Sequence, residues 1–83
     1  MDEKILLKNN GYDIDTLRIS VNSEYFYRGG ENWKRPFVCK VTGTAGNLER
    51  WDAGYLFENM DGVYDFTVSS TGSSAEEAAD WWL

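Results

Sequence analysis

Residues 47–69 read NLERWDAGYLFENMDGVYDFTVS, and two incompatible structures compete for them. Leu48, Trp51 and Tyr55 fall at helical spacing, with Asn47 placed to cap the first turn. Against a long helix stand Gly54 in its interior, about 1 kcal/mol worse than Ala, and the aromatic-rich Tyr55, Leu56 and Phe57. The competing reading is a short helical turn over 47–53, then a strand over 55–60. Asp61-Gly62 would close a two-residue hairpin, since Asp-Gly suits a type I′ turn. On its far side Tyr64, Phe66 and Val68 alternate with Asp65, Thr67 and Ser69, the period of a half-buried strand. The hairpin is the favoured reading.

The segments on either side agree with a sheet. Leu17, Ile19 and Val21 alternate with Thr16, Arg18, Ser20 and Asn22, so TLRISVN is expected to be a strand with one buried face. SEYFYR continues it after a bend near Asn22 and Ser23, and GGEN is the next turn. Pro36 precedes FVCKVTGT, where Phe37, Cys39 and Val41 share one parity; proline at a strand's first position costs no ladder bond. Nearer the start, KILLKN reads as a short strand or a loose terminal segment, and NNGYD as a turn.

Beyond the hairpin, STGSS leads into a helix. Ser74 with Glu77, or Ser73 with Glu76, forms a capping box. The helix is expected to run to the end of the chain. Ala75, Ala78, Ala79 and Trp82 fall on one face, with Glu76, Glu77 and Asp80 opposite. A helix this short must dock to exist, and Trp82 would pin it. Trp81 lies off that face, on the flank. The expected fold is α+β: one domain, a small antiparallel sheet with a C-terminal helix packed on one face, and a short second helical segment near 47–53.

Composition narrows the chemistry. In 83 residues there is one cysteine, Cys39, and no histidine. An intrachain disulfide and a cysteine metal cluster are excluded, and the commonest neutral-pH base is missing. Cys39, between Phe37 and Val41 in strand parity, reads as buried packing rather than a nucleophile. Asp13 with Asp15, and Glu58 with Asp61 and Asp65, lack the spacing of a calcium loop and read as turn carboxylates. No cofactor, metal or enzymatic activity is expected. Ile5, Leu6 and Leu7 form too short an apolar run for a signal core, and no stretch approaches a membrane span, so a cytosolic protein is expected.

Charge is the most informative global property. Residues 1–40 carry a net +1, residues 41–83 a net −7, and no base follows Arg50. A one-signed surface steers a basic partner and can occupy a groove built for phosphates; it can also serve solubility alone. Asp61, Asp65, Glu76, Glu77 and Asp80 are the candidate docking residues, with Asp52 and Glu58 at the margin and Trp81 as the apolar anchor. The alternative interface is YFYRGGENWKRPF. There Tyr25, Tyr27, Arg28, Trp33, Lys34 and Arg35 interleave aromatics and cations as a single-strand nucleic-acid platform does. The net charge of −6 opposes it. A structural subunit of a larger assembly is a third reading, and a homodimer is compatible with any of them.

The chain resembles, in general character, the small acidic anti-defence inhibitors encoded by phages, of the anti-CRISPR or DNA-mimic type. The likeness rests on size, on the base-free WDAGYLFENMDGVYDFTVSSTGSSAEEAADWWL (51–83), and on the lack of catalytic residues. It implies a protein of the host cytosol that blocks a nucleic-acid-handling complex by occupying its basic surface. No residue role is carried over from it.

Overall fold

Gly11, at φ +87°, stops a helix. The computed structural model describes residues 3–22, 24–27, 31–43, 48–58 and 62–83; of residues 24–27 and 31–33 it describes the backbone. The first element is α1 (Glu3–Asn9), not the strand or loose terminus expected of KILLKN. Asn10 N–H donates to Leu7 O at 3.0 Å, Gly11 N–H to Lys8 O at 3.2 Å, and the Asn10 side chain to Leu6 O at 2.7 Å. The NNG turn is therefore a helix C-cap, in which glycine takes the left-handed backbone without a Cβ penalty. Seven residues with a single buried side chain, Leu7, show no readable period. Docking stabilises α1: Leu7 is fully buried, worth about 1.5–3 kcal/mol. Arg35 also donates to both carboxylate oxygens of Glu3 at 2.8 Å.

Five antiparallel strands follow: β1 (Tyr12–Ile19), β2 (Glu24–Tyr27), β3 (Glu31–Val41), β4 (Trp51–Glu58) and β5 (Tyr64–Gly72). Their order is β1-β3-β4-β5, and β2 pairs with β3 as well. β1 lies along Phe37 to Val41 and β2 along Glu31 to Lys34, so both share one side of the long β3. Pro36 falls between them, in mid-strand rather than at a strand start. Its carbonyl accepts from Ser20 N–H at 2.8 Å on that same side. A strand residue's N–H and C=O point the same way, so the missing N–H faces the gap between β1 and β2, and the β4 ladder loses nothing.

β1 begins earlier and ends sooner than its alternation suggests. Val21, expected beside Leu17 and Ile19 in the core, is 98% exposed. Ser20 Oγ accepts from Asn22 N–H at 3.1 Å, turning the chain away. Within β1 the register slips between Asp13 and Arg18. Thr16 fills the break: its hydroxyl donates to Asp13 O at 2.6 Å and accepts Lys40 N–H at 3.0 Å. Of the turn expected at GGEN, Glu31 and Asn32 already belong to β3, and Gly29 and Gly30 lie outside the described residues.

The expected helical turn near 47–53 is absent where it is described. Residues 48–50 are irregular and β4 begins at Trp51; the Asn47 cap lies outside the described residues. Trp51 and Tyr55, four apart, satisfy a strand's parity as well as a helix's, and pairing along β3 decides between them. The β4–β5 hairpin stands, but its ends are Glu58 and Tyr64, so the connection is longer than Asp-Gly alone. Gly54, read as a helix breaker, lies in the middle of β4 where β5 bulges. A Cβ there would overlap the Thr67 carbonyl.

The sheet has a core on each face. On the α1 face Leu7, Tyr12, Phe37, Cys39 and Leu56 are buried, with Ile14, Leu17, Ile19, Val41 and Phe66 against them. Tyr12, Phe37 and Phe66 meet edge to face, at centroid distances of 5.7–6.4 Å. On the other face Val38 and Ala53 meet Ala75, Ala78 and Ala79, flanked by Trp51 and Trp82. These alanines belong to α2 (Ala75–Ala78) and its C-cap Ala79. The terminal helix is thus a single turn followed by further turns, rather than a helix to the end of the chain. Among the described residues no helix is long and apolar enough to cross a membrane.

Candidate functional site

The β3–β4 register assigns each candidate to a face. Arg35, Phe37 and Cys39 pair with Leu56, Gly54 and Asp52 on the α1 face; Lys34, Pro36 and Val38 pair with Phe57, Tyr55 and Ala53 on the α2 face. Asp52 therefore points into the protein and is only 3% exposed. Its Oδ2 accepts the Tyr12 hydroxyl at 2.6 Å and its Oδ1 accepts Arg50 Nε at 3.1 Å. It is a satisfied buried carboxylate, not a margin of a docking surface. Burial, then the bond to Asp52, raises the Tyr12 phenol well above its ordinary range. Tyr12 lies forty residues away in sequence, and no local pattern announces the pair.

The remaining acids divide. Glu58 pairs with Tyr64 on the α1 face. It accepts the Tyr64 hydroxyl, which raises that phenol's pKa. Asp65 lies on the α2 face opposite Phe57, its Oδ1 accepting Phe66 N–H at 2.8 Å. It stands five residues before Ser70, roughly 16 Å along the strand. Asp61 lies outside the described residues. Glu76, Glu77, Asp80 and Trp81 are close in the chain and all exposed on and just after α2. Ser74 Oγ accepts Glu77 N–H at 3.1 Å, the expected cap; the Glu77 carboxylate accepts Ser73 Oγ at 2.6 Å. Glu76 meets Arg18 at 3.7 Å in a pair that is mostly solvent-exposed.

Trp81, next in the chain after Asp80, is 40% exposed. Its Nε1 donates to Ser70 Oγ at 3.1 Å, and Ser70 in turn donates to the Ala78 carbonyl. Its ring lies 5.2 Å from that of Tyr55, and Lys34 Nζ sits 4.3 Å from the centroid of the Tyr55 ring. Trp82 turns inward against the alanine core, 6.3 Å from Trp81. The sequence separates the two tryptophans correctly. It misses Tyr55, whose parity with Lys34 follows only once the strand is begun at Trp51.

The two described cations of the nucleic-acid alternative divide between the faces. Lys34 and Arg35 point to opposite faces, one toward Tyr55 and the other into the Glu3 clamp. Tyr25 and Trp33 are register partners across β2 and β3, and Arg28 lies outside the described residues. Cys39 is buried, its thiol donating to Asp13 O at 3.0 Å, and burial pushes its pKa up. Asp13 Oδ1 accepts Asp15 N–H at 3.1 Å, as a turn carboxylate does. No group of three or more metal-ligating side chains gathers among the described residues. Comparisons with protein-family models, curated proteins and solved structures find no match to the chain.

Proposed function

We propose that the protein is a non-catalytic interaction module whose α2 face binds a basic surface of a nucleic-acid-handling protein or complex. The observation that carries this reading is Trp81, 40% exposed and held in place by Ser70 and Tyr55. The exposed Asp80 precedes it in the chain, and Glu76 and Glu77, also exposed, lie on α2 just before. A fixed, exposed aromatic in a run rich in acids combines a desolvating anchor with long-range steering. Glu76, Glu77 and Asp80 steer and Trp81 docks; Asp65 extends the same sign along the face. An anti-defence inhibitor of the phage type, acting in the bacterial cytosol, is the biological role that fits this chemistry. The buried, unpaired Cys39 suits a reducing compartment.

The test is binding to a purified bacterial nuclease or surveillance complex at low and high salt. Affinity is expected to fall steeply with ionic strength. It should also fall in a Glu76→Gln, Glu77→Gln, Asp80→Asn triple variant and in Trp81→Ala. Salt-insensitive binding, or a gel shift of single-stranded oligonucleotides that these variants leave unchanged, overturns the reading.

A further inference from the structure

The two edges of the sheet are unequally protected. On one side β1 is interrupted between Asp13 and Arg18 and carries Asp13, Asp15 and Arg18, while β2 is four residues long. Broken register, charge and shortness are the usual means of stopping an edge from recruiting another strand. On the other side β5 runs for nine residues, and no strand among those described pairs with its outer side. It contains no Lys, Arg or Pro, Asp65 is its only charge, and the residues from Phe66 to Ala75 carry none. It has one bulge, opposite Ala53 and Gly54, and one backbone donor, Phe66 N–H, is taken by Asp65 Oδ1 at 2.8 Å.

Each side of this edge presents a different lip. On the α1 face Val68 is 43% exposed beside the half-buried Phe66. On the α2 face stand the exposed Asp65 and Thr67, with Trp81 anchored to β5 through Ser70. A strand added here would alternate its side chains between the two. One set would meet Val68 and favour apolar groups; the other would meet Asp65 and the Trp81 ring and favour cations.

We infer that β5 is a strand-addition site, which takes up an extended partner segment alternating apolar and basic residues. The inference rests on the proposed basic partner and specifies how it is held: main-chain hydrogen bonds along β5, with Trp81 and Asp65 selecting the cationic side chains. A second copy of the chain is the poorer occupant, since it would bring a further charge of −6 to the same edge.

A synthetic peptide of alternating Lys and Val tests this, with two relatives N-methylated at every Lys amide or at every Val amide. The parent peptide is expected to bind and to slow amide exchange within 64–72. One methylated peptide should lose about tenfold in affinity, while the other, its methyls pointing away from β5, binds like the parent. Equal effects of the two methylations, or slowed exchange confined to β1 and β2, overturn strand addition. If the Trp81→Ala variant still loses the parent peptide in that case, the patch stands and only its mode of use falls. No binding of the parent peptide removes both. A concentration-dependent dimer with slow β5 exchange in the absence of peptide puts a second copy on the edge, and also overturns the inference.

Discussion

The two faces of the sheet are built from different materials. The α1 face is filled by bulk: Tyr12, Phe37 and Phe66 interlock, and Leu7 closes the layer from above. The α2 face is thin: three alanines lie on Val38 and Ala53. Bulk stabilises through area and dispersion, and it hides nearly everything it contains. Small residues instead bring the chain close to the sheet and leave little room beside it. Of the larger groups of that segment Trp82 packs against the alanines, while Trp81, Glu77 and Asp80 stay outside. One face therefore carries most of the stability and the other carries the candidate site. The strongest way to break this division is Phe37→Ala, which empties the centre of the aromatic cluster. The expected cost in chemical denaturation is about 3–5 kcal/mol, more than any single substitution on the α2 face should produce.

The α2 face should respond to the opposite insult. Ala78 is fully buried and its carbonyl accepts the Ser70 hydroxyl. Ala78→Leu has no room to enter and should cost about 1–3 kcal/mol by overpacking. It should also shift Trp81, seen as a change in tryptophan fluorescence of the folded protein. Trp82→Ala belongs to the same face. Trp82 is only partly buried, so the cost should be about 2 kcal/mol, below that of a fully enclosed ring. An Ala78→Leu protein as stable as wild type, or Trp82→Ala as costly as Phe37→Ala, would erase the difference between the faces.

What the sequence made legible follows the same division. Local periodicity revealed β5, the Phe37 and Cys39 parity of β3, and the alanine face that separates Trp82 from Trp81. Each of those patterns is complete within a few residues. It did not reveal α1, whose seven residues bury only Leu7 and whose partner Arg35 is thirty-two residues distant. It left β4 ambiguous because Trp51 and Tyr55 satisfy both periods. It placed Asp52 on the surface because charge is visible in sequence and a distant hydroxyl is not. Of the proposed site, Glu76, Glu77, Asp80 and Trp81 were readable as a run; Tyr55 and Lys34 needed the sheet register.

The Tyr12–Asp52 bond sharpens the comparison from the polar side, because it places a carboxylate inside the bulky core. Tyr12→Phe leaves Asp52 short of a donor and should cost about 1–3 kcal/mol near neutrality. The pH dependence identifies the cause. The Tyr12 phenol is raised in the folded protein relative to an unfolded value of about 10. Its contribution is complete below that unfolded value and is lost as pH rises from there toward the folded one, since the unfolded chain releases the proton first. Urea midpoints of the two proteins should therefore converge as pH climbs past about 10. A gap that stays constant through that window would assign the cost to packing alone.

The smallest effect belongs to the ion pair that ties β1 to α2. Arg18 and Glu76 meet at 3.7 Å, with side chains 56% and 72% exposed. Exposed pairs of this kind contribute about 0.2–1 kcal/mol, and salt reduces that further. A double-mutant cycle with Arg18→Ala and Glu76→Gln should thus give a coupling within that range at low salt and none at high salt. The value matters for the site more than for the fold. If the coupling is this small, Glu76 gives up little when it turns from Arg18 to a cation on a partner. Arg18→Ala should then strengthen binding of a basic partner slightly, by removing an internal competitor. A coupling of several kcal/mol would instead hold Glu76 to the sheet and leave Glu77 and Asp80 to carry the charge of the patch.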